Sequence, residues 1–109
     1  MSTKKQSSRT YRSAKDVLEN MLGGPLSFGD ALRSERLCEE MTLKDFAEIL
    51  EVSAQHLSDI ENGRRFVSVD RAAAFAKKLK QSVPLFVQLA LEDAIRRSKL
   101  KLKVKVEAA

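Results

Sequence analysis

A chain of 109 residues with 43% apolar and 32% charged residues has the length and balance of one soluble globular domain. No run approaches the roughly 18 apolar residues of a membrane span, and no charged-apolar-small pattern opens the chain as a signal peptide would. A cytoplasmic protein without membrane partners is expected. Cys38 and His56 are the only residues of their kinds, which excludes an internal disulfide and a Cys/His zinc site within one chain. No Ser/Cys-His-acid set, glycine-rich phosphate loop or paired carboxylates stand in a recognisable frame, so neither an enzyme nor a cofactor is expected.

The net charge of +5 sits at the two ends. Residues 1–15 carry five basic side chains and no acid, and residues 99–109 carry four lysines against one glutamate. Residues 27–98 carry eleven basic and twelve acidic side chains. The middle of the chain is therefore not a basic globule. Any affinity it has for nucleic acid must come from where a few arginines and lysines stand.

In chain order, Met1 to Arg12 is rich in Ser, Thr, Lys and Arg, with Tyr11 its only aromatic. This composition reads as disorder in the free chain, serving either as a basic arm on DNA or as a frayed terminus. Ser13 with Asp16 has the form of a capping box. Val17, Leu18, Met21 and Leu22 follow at helical spacing, and Gly23-Gly24-Pro25 ends that short helix. Ser27 and Asp30 cap a second helix, whose apolar side is Phe28, Ala31, Leu32 and Leu37. Cys38, at its end, reads as a small, partly buried apolar residue.

Thr42 to Gly63 is the most informative stretch. Thr42 with Asp45 is another capping pair, and the acid lies where the positive helix end favours it. Leu43, Phe46, Ala47 and Leu50 then form one apolar stripe. Leu50-Glu51-Val52 makes a bend that requires a residue at positive φ, which is awkward for Glu51. Ala47 is small enough for a close helix crossing, and Val52 can fill the space beneath the bend. Ser53 caps the next helix, with Leu57 and Ile60 on its buried side. Gln55, Ser58, Asp59 and Asn62 stand on its exposed side, and Gly63 stops it.

Ser68 opens another helix, with Val69, Ala72, Ala73, Phe75, Ala76 and Leu79 as a broad apolar face. Pro84 suits the first turn of the next, which uses Leu85, Phe86, Leu89, Ala90 and Ile95 and runs to about Ser98. From Lys99 to Glu107 the period changes to strict alternation, placing Leu100, Leu102, Val104 and Val106 on one side and lysines on the other. A period of two predicts a β-strand. A lone strand is unstable in water, so pairing with the same strand of a second copy is expected, with these four residues in the dimer contact.

The pattern A-x(4)-V-x(4)-LS-x-IE-x-G, carried by Ala47, Val52, Leu57, Ser58, Ile60, Glu61 and Gly63, resembles the phage-repressor/Cro-like (Xre) helix-turn-helix family. The resemblance spans about Ser27 to Phe86. It implies an all-α fold: a five-helix Cro/phage-repressor-like domain, here with an added N-terminal helix and the C-terminal strand. The implied organisation is a basic arm and short helix over 1–26, the helix-turn-helix domain over 27–86, and the end of the fifth helix with the strand over 87–109. Arg36 and Glu61 match a pair that ties the first domain helix to the recognition helix in such proteins. Arg64 and Arg65 match the loop that meets DNA phosphates.

Two positions depart from the family pattern. Leu43 stands where a glutamine often contacts the DNA backbone, and Ala54 where Gln or Ser is common. Phosphate contact is therefore assigned to Lys44 and the arginine pair, with Ala54 left to touch a thymine methyl. Gln55 can pair with adenine and Asp59 can accept from cytosine, while His56 is either a base contact or packing. With Ser53, Ser58 and Asn62, these residues make up the expected DNA-binding set. The implied function is a homodimeric transcriptional regulator, a repressor on a palindromic operator. An alternative is a HigA-like antitoxin that also binds a toxin protein.

Overall fold

The computed structural model describes residues 19–21 and 23–109. Five helices follow one another: α1 (Phe28–Cys38), α2 (Leu43–Leu50), α3 (Ala54–Glu61), α4 (Val69–Leu79) and α5 (Val83–Arg97). Residues 19–21 are also helical. The rest of the expected N-terminal helix, and the basic arm before it, lie outside the described residues.

Each helix starts the same way, with a hydroxyl one residue ahead of it. Ser27, Thr42, Ser53, Ser68 and Ser82 lie in extended backbone, and each side chain accepts a backbone N–H from the first turn. This satisfies one of the donors that every helix start leaves unpaired. At Ser27 the box is reciprocal, because Asp30 accepts the Ser27 N–H in return.

The helix ends share a device that is less visible in the sequence. After α1, α2 and α4 the chain turns through a left-handed residue: Glu40 (φ 55°), Glu51 (φ 59°) and Lys80 (φ 56°). The next amide then bonds back over the turn, Met41 N–H to Arg36 O, Val52 N–H to Ala47 O and Gln81 N–H to Ala76 O. Lys99 (φ 58°) does the same after α5, and Gly63 (φ 75°) after α3. Among these five stops only that of α3 uses glycine, so the other four carry backbone strain of about 1 kcal/mol or more each. At the α2–α3 bend a side chain from α4 supports the strained residue. Lys78 Nζ donates to Leu50 O at 3.3 Å and to Glu51 Oε2 at 2.6 Å. That hydrogen bond holds the Glu51 carboxyl below its ordinary range.

The core lies where the five helices converge. Leu32, Phe46, Leu50, Leu57, Ile60, Phe75 and Leu89 are its largest fully buried side chains. Phe28 joins three helices: its ring is 5.5 Å from Phe86, edge to face, and 6.3 Å from Phe75. Leu26, just ahead of α1, is also buried. Its N–H donates to Glu19 Oε2 at 2.7 Å. Two residues further on, Asp93 on α5 accepts the Phe28 N–H at 3.0 Å and pairs with Arg96.

Four sequence expectations change. The C-terminal β-strand is absent, and residues 101–109 have no regular structure. Alternation marks two faces, but a strand is defined by ladder hydrogen bonds, and no described segment offers this one an edge. Instead the tail returns to α5, where Val106 N–H meets Gln88 Oε1 at 3.4 Å. Val104 and Val106 are half-buried, while Leu100 and Leu102 remain exposed. Leu37 and Val69 were expected on apolar faces but are 56% and 41% exposed. Cys38 is exposed and free, not partly buried.

Candidate nucleic-acid interface

The helix α3 is held from beneath and open above. Leu57, Ile60 and Glu61 are buried, whereas Ala54 and Gln55 are exposed and Ser58 and Asp59 are half-exposed. One of the backbone N–H groups left unpaired at its start is met by Ser53, which accepts from His56 N–H at 3.0 Å. An eight-residue helix is too short to persist alone. Its geometry comes from α1 and α2, against which it packs.

Two contacts fix it to α1. The first is ionic. Arg36 Nε donates to Glu61 Oε2 at 2.8 Å and Nη2 to Oε1 at 2.9 Å, a two-pronged pairing. The third prong, Nη1, reaches Met41 O at 3.1 Å. Glu61 is the single buried charged residue among those described. Its hydrogen bond raises the Arg36 pKa above its ordinary value. The expected Arg36–Glu61 pair is therefore formed.

The second contact involves a residue passed over in the sequence. Gly29, in the first turn of α1, lies directly on the C-terminal turn of α3. A Cβ at this position would stand 2.1 Å from Ile60 O and 3.3 Å from Glu61 Cα. The signal was present, since a glycine inside a helix is unfavourable by about 1 kcal/mol. A close backbone approach explains its presence there.

On the open face the expected DNA contacts form two groups. In the first, Asp59 Oδ1 accepts from Gln55 Nε2 at 2.9 Å and from Arg64 Nε at 3.0 Å. The Arg64 hydrogen bond, then that of Gln55, pushes the Asp59 carboxyl below the usual range. Asp59 thus orients a neighbouring amide and a guanidinium. Asn62 folds back at the end of α3, with Nδ2 donating to Ser58 O at 2.8 Å and to Ser58 Oγ at 3.3 Å. Two more bonds set the loop behind it, Arg64 N–H and Arg65 N–H to Asp59 O at 2.8 and 3.1 Å.

The second group is centred on His56, which is half-exposed. Its Nε2 lies 3.3 Å from Arg65 Nη1 and also 3.3 Å from Arg71 Nη1. Arg71, in the first turn of α4, is not among the residues the sequence pattern singles out. Nothing in the linear pattern brings position 71 beside position 56. Lys44 is exposed near the start of α2, and no hydrogen bond links it to either group.

Among the described residues no cluster of His, Cys, Asp and Glu could hold a metal ion, and no helix is long and apolar enough to cross a membrane.

Two short helices joined by a left-handed bend, the second open on one face and edged by arginines, define a helix-turn-helix protein. The chain belongs to the helix-turn-helix domain family, whose model matches residues 27–87, and is of the Xre-like kind. It is similar to two crystal structures of the clp gene regulator ClgR from Corynebacterium glutamicum. One is 35% identical with a TM-score of 0.51, over 62% of this chain and 88% of the other. The second is 33% identical with a TM-score of 0.50, over 68% and 80%. Comparison with curated proteins gave no match.

Proposed function

We propose that the chain is a sequence-specific transcriptional regulator that represses by occupying a palindromic operator as a homodimer. The observation that carries this reading is the open face of α3. Ala54 and Gln55 face outward at the start of a helix whose other side is locked to α1 by Gly29 and the Arg36–Glu61 pair. A rigid helix with short polar and small side chains at its N-terminal end fits the major groove. Arg64 and Arg65, exposed behind it, suit phosphate contact. The likeness to proteins described as gene regulators points the same way.

A second copy is the proposed occupant of the Leu100 and Leu102 side of the tail. These residues are 54% and 63% exposed, and a two-fold pairing would present two α3 helices to half-sites about 34 Å apart. Selection of duplexes from a random pool, followed by gel shift, tests the reading. A palindromic consensus bound by two chains is expected. Failure to retain any duplex at low salt would remove DNA binding. A consensus of one half-site, bound by a monomer, would remove the dimer. Replacing Leu100 and Leu102 by Asp should give monomers in sedimentation.

A further inference from the structure

Two guanidinium groups from separate elements aim at one lone pair. Arg65, on the loop after α3, and Arg71, on α4, each place Nη1 3.3 Å from His56 Nε2. Arginine only donates, so Nε2 must be the acceptor, and the imidazole is neutral with its proton on Nδ1. One lone pair serves one strong hydrogen bond well. Here it is shared by two cations, which repel one another and have no carboxylate between them. Asp59, the acid whose charge acts on His56, has its Oδ1 committed to Gln55 and Arg64. The arrangement has donors in excess and lacks an anion.

The geometry points to a DNA-phosphate site formed by His56, Arg65 and Arg71, in which both guanidinium groups grip one backbone oxyanion beside the recognition helix. The site rests on the DNA-binding reading above and assigns to it a residue from α4. A phosphate supplies several acceptor lone pairs where the imidazole supplies one, and it offsets the repulsion between the arginines. It also changes the histidine. The charged and titratable groups facing the ring are Arg65 from the loop, Arg71 from α4 and Asp59 from α3. Burial first, then the two arginines, hold the His56 pKa below its ordinary value, against a smaller upward pull from Asp59. An arriving phosphate reverses that balance, so the ring takes up a proton and donates from Nε2. Binding is then coupled to proton uptake. Affinity rises as pH falls toward and below the ordinary histidine range, then levels off once the free protein is itself protonated. His56 is the only histidine, so no other side chain of ordinary pKa titrates between pH 5.5 and 7.

The test measures binding of the full chain to a mixed-sequence 20-base-pair duplex by fluorescence anisotropy, against salt and against pH. Arg71→Ala should weaken binding roughly five- to tenfold and lower the salt slope by about 0.9, the value for one phosphate. Arg65→Ala with Arg71→Ala should lower the slope by little more than either alone, because one phosphate is shared. Arg71→Lys should keep the slope and recover part of the affinity. Wild-type affinity should rise about three- to tenfold from pH 7.5 to 5.5 as the ring takes up its proton, and His56→Gln should remove that rise. Circular dichroism melting of each variant reports folding, and Arg71 is exposed enough for its loss to leave the melt unchanged. An unchanged slope in Arg71→Ala overturns the site while leaving DNA binding standing, as does a slope loss that doubles in the double variant. No duplex binding by the wild type overturns both. A His56 ring signal that moves with inorganic phosphate but not with duplex assigns the site to small phosphates and overturns the DNA assignment.

Discussion

Replacing Glu61 by Ala tests how α3 is held. The carboxylate is buried at 7% exposure and accepts two bonds from Arg36, at 2.8 and 2.9 Å. Its removal leaves Arg36 with only the Met41 carbonyl. A fully buried pair broken in this way loses about 3–5 kcal/mol. The Arg36 side chain is 13% exposed, so water can reach part of the stranded guanidinium. The expected loss is therefore about 2–3 kcal/mol. For a domain of this size that lowers the melting temperature by about 10–20 °C. Arg36→Met should lose a similar amount, because it strands the buried carboxylate.

The double variant Arg36→Met with Glu61→Ala strands no charge and should lose clearly less than the sum of the two single losses. Urea denaturation of all four proteins yields the coupling free energy directly. A loss under about 0.5 kcal/mol in Glu61→Ala would refute the reasoning. So would additive losses in the double variant, since the pair would then contribute nothing as a pair. Duplex binding should fall in Glu61→Ala even well below its melting temperature, because the tie from α3 to α1 is cut.

Gly29→Ala introduces a Cβ 2.1 Å from Ile60 O. The helix gains about 1 kcal/mol in propensity, but backbone must move, so a net loss above about 1 kcal/mol is expected by urea denaturation; a stabilised variant would refute the close approach. Ser53→Ala removes the acceptor for His56 N–H and should lose about 1 kcal/mol, read by thermal melting. Gln55→Ala should change base preference at one position by about 1–3 kcal/mol in a selection experiment; an identical consensus would exclude Gln55 from readout. Burial raises the Asp93 pKa, against the Phe28 N–H and Arg96. Its folded form therefore binds a proton more readily than its unfolded form, and its contribution to stability increases as pH falls through the range above pH 3.8. Asp93→Asn keeps an acceptor for Phe28 and should change stability at pH 7 by no more than about 1 kcal/mol, while removing that acid-side gain.

Much of the chain could be read before any coordinates, because the signals are local. A hydroxyl ahead of each apolar stripe starts a helix wherever it occurs, and Ser27, Thr42, Ser53 and Ser68 each do so. The bend at Glu51 could be placed for the same reason, since the periodicity of Leu43–Leu50 and that of Ser53–Ile60 do not join without a left-handed residue. The pairing of Arg36 with Glu61 was legible only through the family pattern, as 25 residues separate them.

What the sequence by itself determined, then, is the order of the helices, their starts and the place of the helix-turn-helix among them, since these depend on neighbours within a turn or two. Tertiary structure alone decided three things. Lysine–leucine alternation at the C-terminus names two faces but cannot supply a partner edge, so the expected strand gave way to a tail that meets Gln88. The tolerance for glycine at position 29 depends on a carbonyl 31 residues away. The meeting of Arg65, His56 and Arg71 depends on where the fold sets the first turn of α4 relative to α3. Distances between elements are set by how side chains fill the core they share, and no stretch of sequence contains that information by itself.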